Sequence, residues 1–201
     1  LRCIYYNHYD SAIYIGTNPY GLCNLNLYQT GGGKVLKFKN NIWSVINFGN
    51  NDLPSVDLTC IVKDNTNRIV VGSMRGGISM LNGGNWANYN PINSPIINPW
   101  INDLSVNNLQ IIWAISSEYS YSGPQCGGVV RTLLSKYDGI QWTVFNFQHV
   151  IIDTITVNHL RNCEADYSGN FWFGTTGTTL KLKGNSWSKM DTLKKKKKIV
   201  P

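Results

Sequence analysis

A six-residue phrase ending in tryptophan occurs four times in this chain. The copies occupy residues 38–43, 81–86, 137–142 and 182–187, and they end in Trp43, Trp86, Trp142 and Trp187. Each copy begins with an apolar residue and continues through turn-forming residues, which is the pattern of a hairpin tip between two short strands. Repetition at a period of about 40 to 60 residues predicts an array of similar small sheets.

A second repeated column precedes the tryptophan column. An apolar segment in each unit ends in a small or hydroxylated pair that begins at Gly16, Gly72 and Gly174. The third unit departs from this column, because it has Ile115 where the others have Gly. Polar turn formers stand a few residues upstream of this column, at Asp10, Asp64, Asn107 and Asp166. A short carboxylate or amide suits the first place of a β-turn, because it accepts a hydrogen bond from the backbone two residues later. Each unit is therefore predicted to contain four short antiparallel strands.

Repeated units of four short strands are typical of β-propeller blades. The predicted fold is all-β, with four four-stranded antiparallel blades that form a complete small ring or an arc of a larger one. The predicted blades cover residues 1–50, 51–95, 96–150 and 151–190, and residues 191–201 form a basic tail or linker. Each of the four repeat tryptophans is predicted to cover the hydrophobic gap between two blades, because its large ring buries much apolar area.

Several segments resemble the two-component regulator propeller repeat. They include residues 53–55, 61–64, 71–73 and 76–78, and the most similar copy covers residues 166–175. The resemblance implies blades of the kind found in extracytoplasmic sensor domains of hybrid histidine kinases and in secreted bacterial proteins. It therefore implies a periplasmic, cell-surface or secreted location. The repeat specifies a blade and no chemistry, and the sequence contains no kinase or response-regulator segment.

The first and third units carry a longer stretch between the glycine column and the tryptophan than the other two units. In the third unit this stretch, residues 117–127, is polar and rich in turn formers and tyrosine. Loops that depart from a repeat often carry its function. The primary prediction is a non-catalytic module that recognises a glycan, a peptide or a protein through loops on one face. The predicted ligand-binding residues are Glu118, Tyr119, Tyr121, Arg75 and Trp100.

Two alternatives remain at this stage. The first is a polysaccharide lyase or glycoside hydrolase with its site in the propeller channel, where Glu164 is the candidate base. The second is a structural or adhesive role in a surface assembly, with self-association if the ring is incomplete. The sequence contains no nucleophile motif, and His8, His149 and His159 are scattered over different units. The chain is therefore predicted not to be an enzyme.

The charge and hydropathy of the sequence argue against a nucleic-acid partner and against a membrane-spanning segment. The net charge of +7 includes the five charges of Lys194 to Lys198, so the rest of the chain is near neutral. Basic stripes with interleaved aromatics are absent from the blades, and no nucleic-acid partner is expected. No apolar run approaches the roughly 18 residues that span a bilayer, so no integral membrane segment is expected. The first residues already fit an inner strand, as expected of a processed or excised segment.

The five cysteines do not define a disulfide framework. Cys3, Cys60 and Cys163 occupy similar places on the first strands of three units and are expected to be small buried apolar residues. Cys23 and Cys126 lie near the longer stretches, and the pairing of all five stays open. No Cys/His cluster or Asp-rich loop has the spacing of a metal site, so neither a metal nor a cofactor is predicted.

Overall fold

The computed structural model describes residues 2–17, 34–46, 57–119, 129–145, 151–152, 155–156, 159–175 and 177–190. These residues form strands and turns, and none of them is helical. Four sheets have four antiparallel strands each, and the strands of each sheet lie side by side in sequence order. The protein is an all-β propeller of four blades, as the sequence predicts.

The strands of each blade are short and are joined in hairpins. Blade 1 contains β1 (Cys3–Asn7), β2 (Ala12–Gly16), β3 (Val35–Lys39) and β4 (Ile42–Ile46). Blade 2 contains β5 (Leu58–Lys63), β6 (Ile69–Ser73), β7 (Ile78–Asn82) and β8 (Asn85–Tyr89). Blade 3 contains β9 (Ile101–Val106), β10 (Ile112–Tyr119), β11 (Val129–Tyr137) and β12 (Trp142–Phe145). A hairpin of β13 (Ile151–Ile152) and β14 (Ile155–Thr156) precedes blade 4, which contains β15 (Leu160–Ala165), β16 (Phe171–Thr175), β17 (Thr179–Lys183) and β18 (Ser186–Met190).

The turn between the first two strands is built in the same way in blades 2, 3 and 4. In blade 2 the Asp64 carboxylate accepts hydrogen bonds from the backbone N–H groups of Thr66 and Arg68, at 3.0 and 2.9 Å. Asn107 and Asp166 make the equivalent pairs of bonds in blades 3 and 4. A short side chain that accepts two backbone donors fixes a tight turn, as the sequence predicts for these three residues.

The prediction for the first turn is wrong by three residues. In blade 1 the side chain of Asn7 accepts the backbone N–H groups of Tyr9 and Asp10. Asp10 instead contacts Lys63 and Tyr14. The prediction relied on the spacing between the turn residue and the glycine column. The Asn7 turn is longer than the others, so this spacing is different in blade 1.

Side chains alternate between two faces of each blade, because successive residues of a strand point in opposite directions. We call the face that carries the repeat tryptophan the tryptophan face. In blade 2 it contains the cross-strand rows of Ile61 with Val71 and of Leu81 with Trp86. We call the opposite face, which carries the glycine column, the glycine face, and in blade 2 it contains the row of Cys60 with Gly72.

Three buried clusters join the blades in series. In each cluster the glycine face of one blade packs against the tryptophan face of the next. Tyr14 and Val35 of blade 1 meet Val71 of blade 2. Val70 of blade 2 meets Trp142 of blade 3, and Trp113 of blade 3 meets Phe173 of blade 4. Among the described residues, no buried cluster joins blade 4 to blade 1.

The four repeat tryptophans have the same register position and different burial. Each is the cross-strand partner of the first residue of its phrase, as Trp86 is of Leu81. Trp142 is 3% exposed, Trp86 and Trp187 are half-buried, and Trp43 is 56% exposed. Trp43 is exposed because none of the described blades packs on the tryptophan face of blade 1.

The expected equivalence of the three strand cysteines is wrong for Cys163. Cys3 and Cys60 pair with Gly16 and Gly72, whereas the partner of Gly174 is Asn162. Cys163 is one residue further on and therefore faces blade 3, because a shift of one residue changes the face. All three are free thiols, and burial raises the pKa of Cys3 to about 11 and those of the other two well above the usual value. Cys23 and Cys126 lie outside the described residues.

Candidate functional site

A cavity of about 550 Å³ lies at one end of the propeller axis, and all four blades line it. Its wall is formed by the ends of the innermost strands and by the turns that follow them. Asp64, Asn107 and Asp166, the turn residues of blades 2 to 4, lie in this wall. A cavity of this size is within the usual range for small-molecule sites.

One position of the repeat contributes a residue from every blade to the cavity. It directly follows the turn residue, and its occupants are His8, Asn65, Asn108 and Tyr167. The turns place these four side chains around the axis, because each turn has its residue at the same end of its blade. The position therefore supplies two amides and two aromatic rings to the cavity. Sequence reasoning examined the turn residues and missed the residues beside them.

An aromatic group at the cavity consists of His8, Tyr9 and Tyr167. The His8 ring lies 4.4 Å from the Tyr9 ring and 5.7 Å from the Tyr167 ring, measured between centroids. Tyr9 is 56% exposed and Tyr167 is 88% exposed. The group brings together the turns of blades 1 and 4, and its exposed ring faces are available for stacking on a bound molecule.

Hydrogen bonds between neighbouring turns hold the cavity wall together. The carbonyl oxygen of Lys63 accepts bonds from the Tyr5 hydroxyl and from the Asn7 amide, at 3.1 and 3.0 Å. The Asn107 amide donates to the carbonyl oxygen of Gly169 in blade 4, at 3.2 Å. These bonds join blade 1 to blade 2 and blade 3 to blade 4 at the cavity wall.

The carboxyl groups at the cavity fall into two classes. Hydrogen bonds from the side chains of Asn170 and Trp172 lower the pKa of Asp166 to about 2, so this group is a carboxylate at neutral pH with its oxygens already engaged. Glu164 lies on β15 in the same wall, and burial together with the nearby charge of Asp103 raises its pKa. The pKa values of Glu164 and Asp166 are therefore shifted in opposite directions.

The predicted binding residues that the structure describes lie at the other end of the blades. Trp100 precedes β9 and its carbonyl oxygen accepts a bond from the backbone of Ser117, beside Glu118 at the far end of β10. Arg75 is exposed in the turn between β6 and β7, at the same end. Strands of five to six residues separate this end from the cavity by about 17 Å. Tyr119 ends β10, and Tyr121 lies outside the described residues.

The described ranges contain no group of three or more His, Cys, Asp or Glu side chains that could hold a metal ion. They also contain no helix long and apolar enough to cross a membrane.

The comparisons with known proteins establish a likeness of fold. No protein-family model matches the chain, and no curated protein matches it. Among solved structures, YCF48 bound to a D1 peptide is 15% identical with a TM-score of 0.53, covering 93% of this chain and 51% of that one. An extracellular domain assigned to a hybrid two-component system of B. thetaiotaomicron is 12% identical with a TM-score of 0.55, covering 94% of this chain and 21% of that one.

A third similar structure is a surface protein. PorZ, a component of the type-IX secretion system of Porphyromonas gingivalis, is 15% identical with a TM-score of 0.53, covering 94% of this chain and 26% of that one. The chain thus spans about half of the YCF48 chain and a smaller share of the other two. All three likenesses support the propeller fold.

Proposed function

We propose that this protein is a non-catalytic, extracytoplasmic β-propeller module that recognises a glycan, a peptide or a protein, and that it belongs to the two-component regulator propeller repeat family. The observation that carries the proposal is the axial cavity, in which one repeat position supplies His8, Asn65, Asn108 and Tyr167. Aromatic rings and amides are suited to sugars and peptides, because the rings stack on apolar faces and the amides pair with hydroxyl or backbone groups.

The fold neighbours support parts of this proposal. Two of them are an extracellular domain and a bacterial surface component, which favours an extracytoplasmic location. The structure of YCF48 contains a bound D1 peptide, which favours a peptide among the three ligand classes.

The test is a screen of the purified protein on glycan and peptide arrays, followed by calorimetry on the best ligand. Tyr167→Ala removes an exposed stacking ring and is expected to weaken binding at least tenfold, which corresponds to about 1.4 kcal/mol. Arg75→Ala, at the opposite end, distinguishes the cavity from the loops that the sequence favours. Ile140→Ala is the matched control, because Ile140 is 88% exposed at the outer hairpin tip of blade 3 and does not line the cavity.

A loss of affinity in Tyr167→Ala alone supports the cavity, and a loss in Arg75→Ala alone assigns recognition to the opposite loops. Equal affinity in all three variants would remove both sites from consideration. Arrays on which nothing binds above background would contradict recognition of these ligand classes.

A lyase or hydrolase is the second candidate, because the raised pKa of Glu164 is a property of general acids. The experiment is an assay of product release from any polysaccharide that binds on the array. Turnover that Glu164→Gln abolishes without loss of binding would establish the enzyme and contradict the non-catalytic module.

A further inference from the structure

The tryptophan face of blade 1 is an exposed apolar surface. It consists of two cross-strand rows: Ile4, Ile15, Leu36 and Val45 in one, and Tyr6, Ile13, Phe38 and Trp43 in the other. All eight side chains are apolar or aromatic. Four of them, one at each end of each row, are between 48% and 63% exposed. A contiguous apolar patch of this kind on a folded protein marks an interaction surface.

The other blades show what such a face normally contacts. The rows that match Phe38 with Trp43 are Leu81 with Trp86, Tyr137 with Trp142, and Leu182 with Trp187. Each of these three rows packs on the glycine face of the preceding blade. The surface that complements a tryptophan face in this molecule is therefore a glycine face, in all three described interfaces.

Blade 4 also has a glycine face, on which none of the described blades packs. It keeps Gly174 and places the Lys181 ammonium group 4.7 Å from the centroid of the Trp172 ring. The glycine faces of blades 1 and 3 carry the same pair of residue types in the same register.

In those faces Lys37 lies over Tyr14 and Lys136 over Trp113. Tyr14 is 1% exposed and Trp113 is 4% exposed, because the next blade covers them. The lysine and aromatic pair is thus compatible with a buried blade interface. Trp172 remains only half-buried on blade 4.

We propose that two copies of this chain associate head to tail, with the tryptophan face of blade 1 in one copy packed on the glycine face of blade 4 in the other. The contact repeats the packing that the chain uses between its own blades. It is heterologous, so it produces a closed ring or a longer series according to the rotation between copies. The interface goes beyond the proposed function, because it uses blade faces and not the cavity.

Sedimentation of the 201-residue protein over a wide range of concentration tests the association. The expected mass rises above the 22.6 kDa of one chain as concentration increases. Val45→Asp places a charge in the tryptophan face and Met190→Asp places one in the glycine face, where Met190 is the partner of Thr179. Each variant is expected to sediment as a monomer with an unchanged circular dichroism spectrum. Ile92→Asp, at a 95% exposed position outside both faces, is the matched control and is expected to associate normally.

Mixing the two variants tests the head-to-tail arrangement. Val45→Asp keeps an intact glycine face and Met190→Asp keeps an intact tryptophan face, so the mixture is expected to form a complex of one copy of each. A Met190→Asp variant that associates like the wild type would overturn the proposal in favour of pairing between two tryptophan faces. A wild-type protein that stays monomeric at every concentration would overturn it outright, and the exposed face would then belong to a different partner.

Discussion

Lys63 carries its charge inside the contact between blades 1 and 2. The residue is 5% exposed, and its ammonium group contacts the Asp10 carboxylate and lies 5.3 Å from the centroid of the Tyr14 ring. The Asp10 carboxylate also accepts a hydrogen bond from the Tyr14 hydroxyl at 2.7 Å. A buried ammonium group is tolerated when a carboxylate and hydrogen bonds compensate for lost water, so Asp10 is a structural partner of Lys63.

Asp10→Asn is expected to lower the free energy of unfolding by about 3 kcal/mol at neutral pH, because it leaves the Lys63 charge buried without its counter-ion. Urea unfolding measures the change. The double variant Asp10→Asn with Lys63→Met is expected to recover most of the loss, since it replaces the charge with an apolar side chain. A double variant as unstable as the single one would contradict this explanation.

The effect of Asp10→Asn is also expected to depend on pH. Burial opposes ionisation of Asp10, but hydrogen bonds from Lys63 and Tyr14 and the charges of Lys63 and Lys37 together lower its pKa below the ordinary 3.8. The stability from the carboxylate is therefore present above pH 3.8 and is lost as the pH falls through the lower folded-state pKa. The free energies of unfolding of the wild type and of Asp10→Asn are expected to become equal at that pH. A difference between them that stays constant down to that pH would contradict the role of Asp10 as the partner of Lys63.

The sequence indicated polar turn residues but assigned the wrong one in blade 1. Asp64, Asn107 and Asp166 share a spacing of eight residues to the glycine column, and this regularity made them predictable. In the first blade the spacing from Asn7 to Gly16 is nine, because the turn has an additional residue. Spacing alone cannot distinguish Asn7 from Asp10, since both side chains are capable of accepting backbone hydrogen bonds.

The glycine column sets how closely neighbouring blades approach. A Cβ atom added at Gly72 would lie 2.5 Å from the Cys60 sulfur and 2.6 Å from a methyl carbon of Ile101. One added at Gly16 would lie 2.4 Å from the Cys3 sulfur and 3.4 Å from Leu58 of the next blade. The first strand of each following blade therefore packs directly on backbone at these positions, which explains why a side chain is absent there.

Gly72→Ala is expected to destabilise the protein by about 1 to 3 kcal/mol, because the added methyl group forces β6 away from its neighbours in a packed interface. Urea unfolding is the measurement. Gly177→Ala is the control: an added Cβ there meets no atom within 4 Å, and the residue is exposed. Equal stability of Gly72→Ala and Gly177→Ala would show that blade spacing does not depend on the glycine column.

The four strands of each blade were predictable because the tryptophan phrase marks the outer hairpin and the turn residue marks the inner one. The faces of individual side chains were less predictable. Cys163 is 11 residues before Gly174 and Cys60 is 12 before Gly72, a difference that looks small in sequence. In a strand it reverses the direction of the side chain, so Cys163 faces blade 3 and Asn162 takes the place on the glycine face.

The position of the cavity depends on how whole blades are placed around an axis. Each of His8, Asn65, Asn108 and Tyr167 follows a turn residue that was found from sequence, and each alone has the appearance of an ordinary surface residue. Their common location emerges only when the three blade interfaces fix the rotation between sheets. The sequence favoured the longer hairpins instead. An unusual hairpin length can be read directly from a sequence, whereas the convergence of side chains from different blades cannot.

The series of blades predicts that equivalent tryptophans contribute unequally to stability. Trp142→Ala removes a 3% exposed ring from the cluster between blades 2 and 3. It is expected to lower the free energy of unfolding by about 3 to 5 kcal/mol, because apolar burial is lost and a cavity is left behind. Trp43→Ala removes a ring that is 56% exposed and packs mainly on Phe38, at 4.8 Å between centroids. Its expected cost in the monomer is about 1 kcal/mol or less, as for other cross-strand surface pairs.

Urea unfolding at low and high protein concentration measures both variants. In the head-to-tail assembly Trp43 lies in the interface between copies, so the cost of Trp43→Ala is expected to increase with concentration because association stabilises only the wild type. The cost of Trp142→Ala from its own cluster is expected to stay unchanged, since that ring is buried within one chain. Equal costs for the two substitutions in the monomer would mean that blade 1 is covered on its tryptophan face, and the open end of the series would then be incorrect.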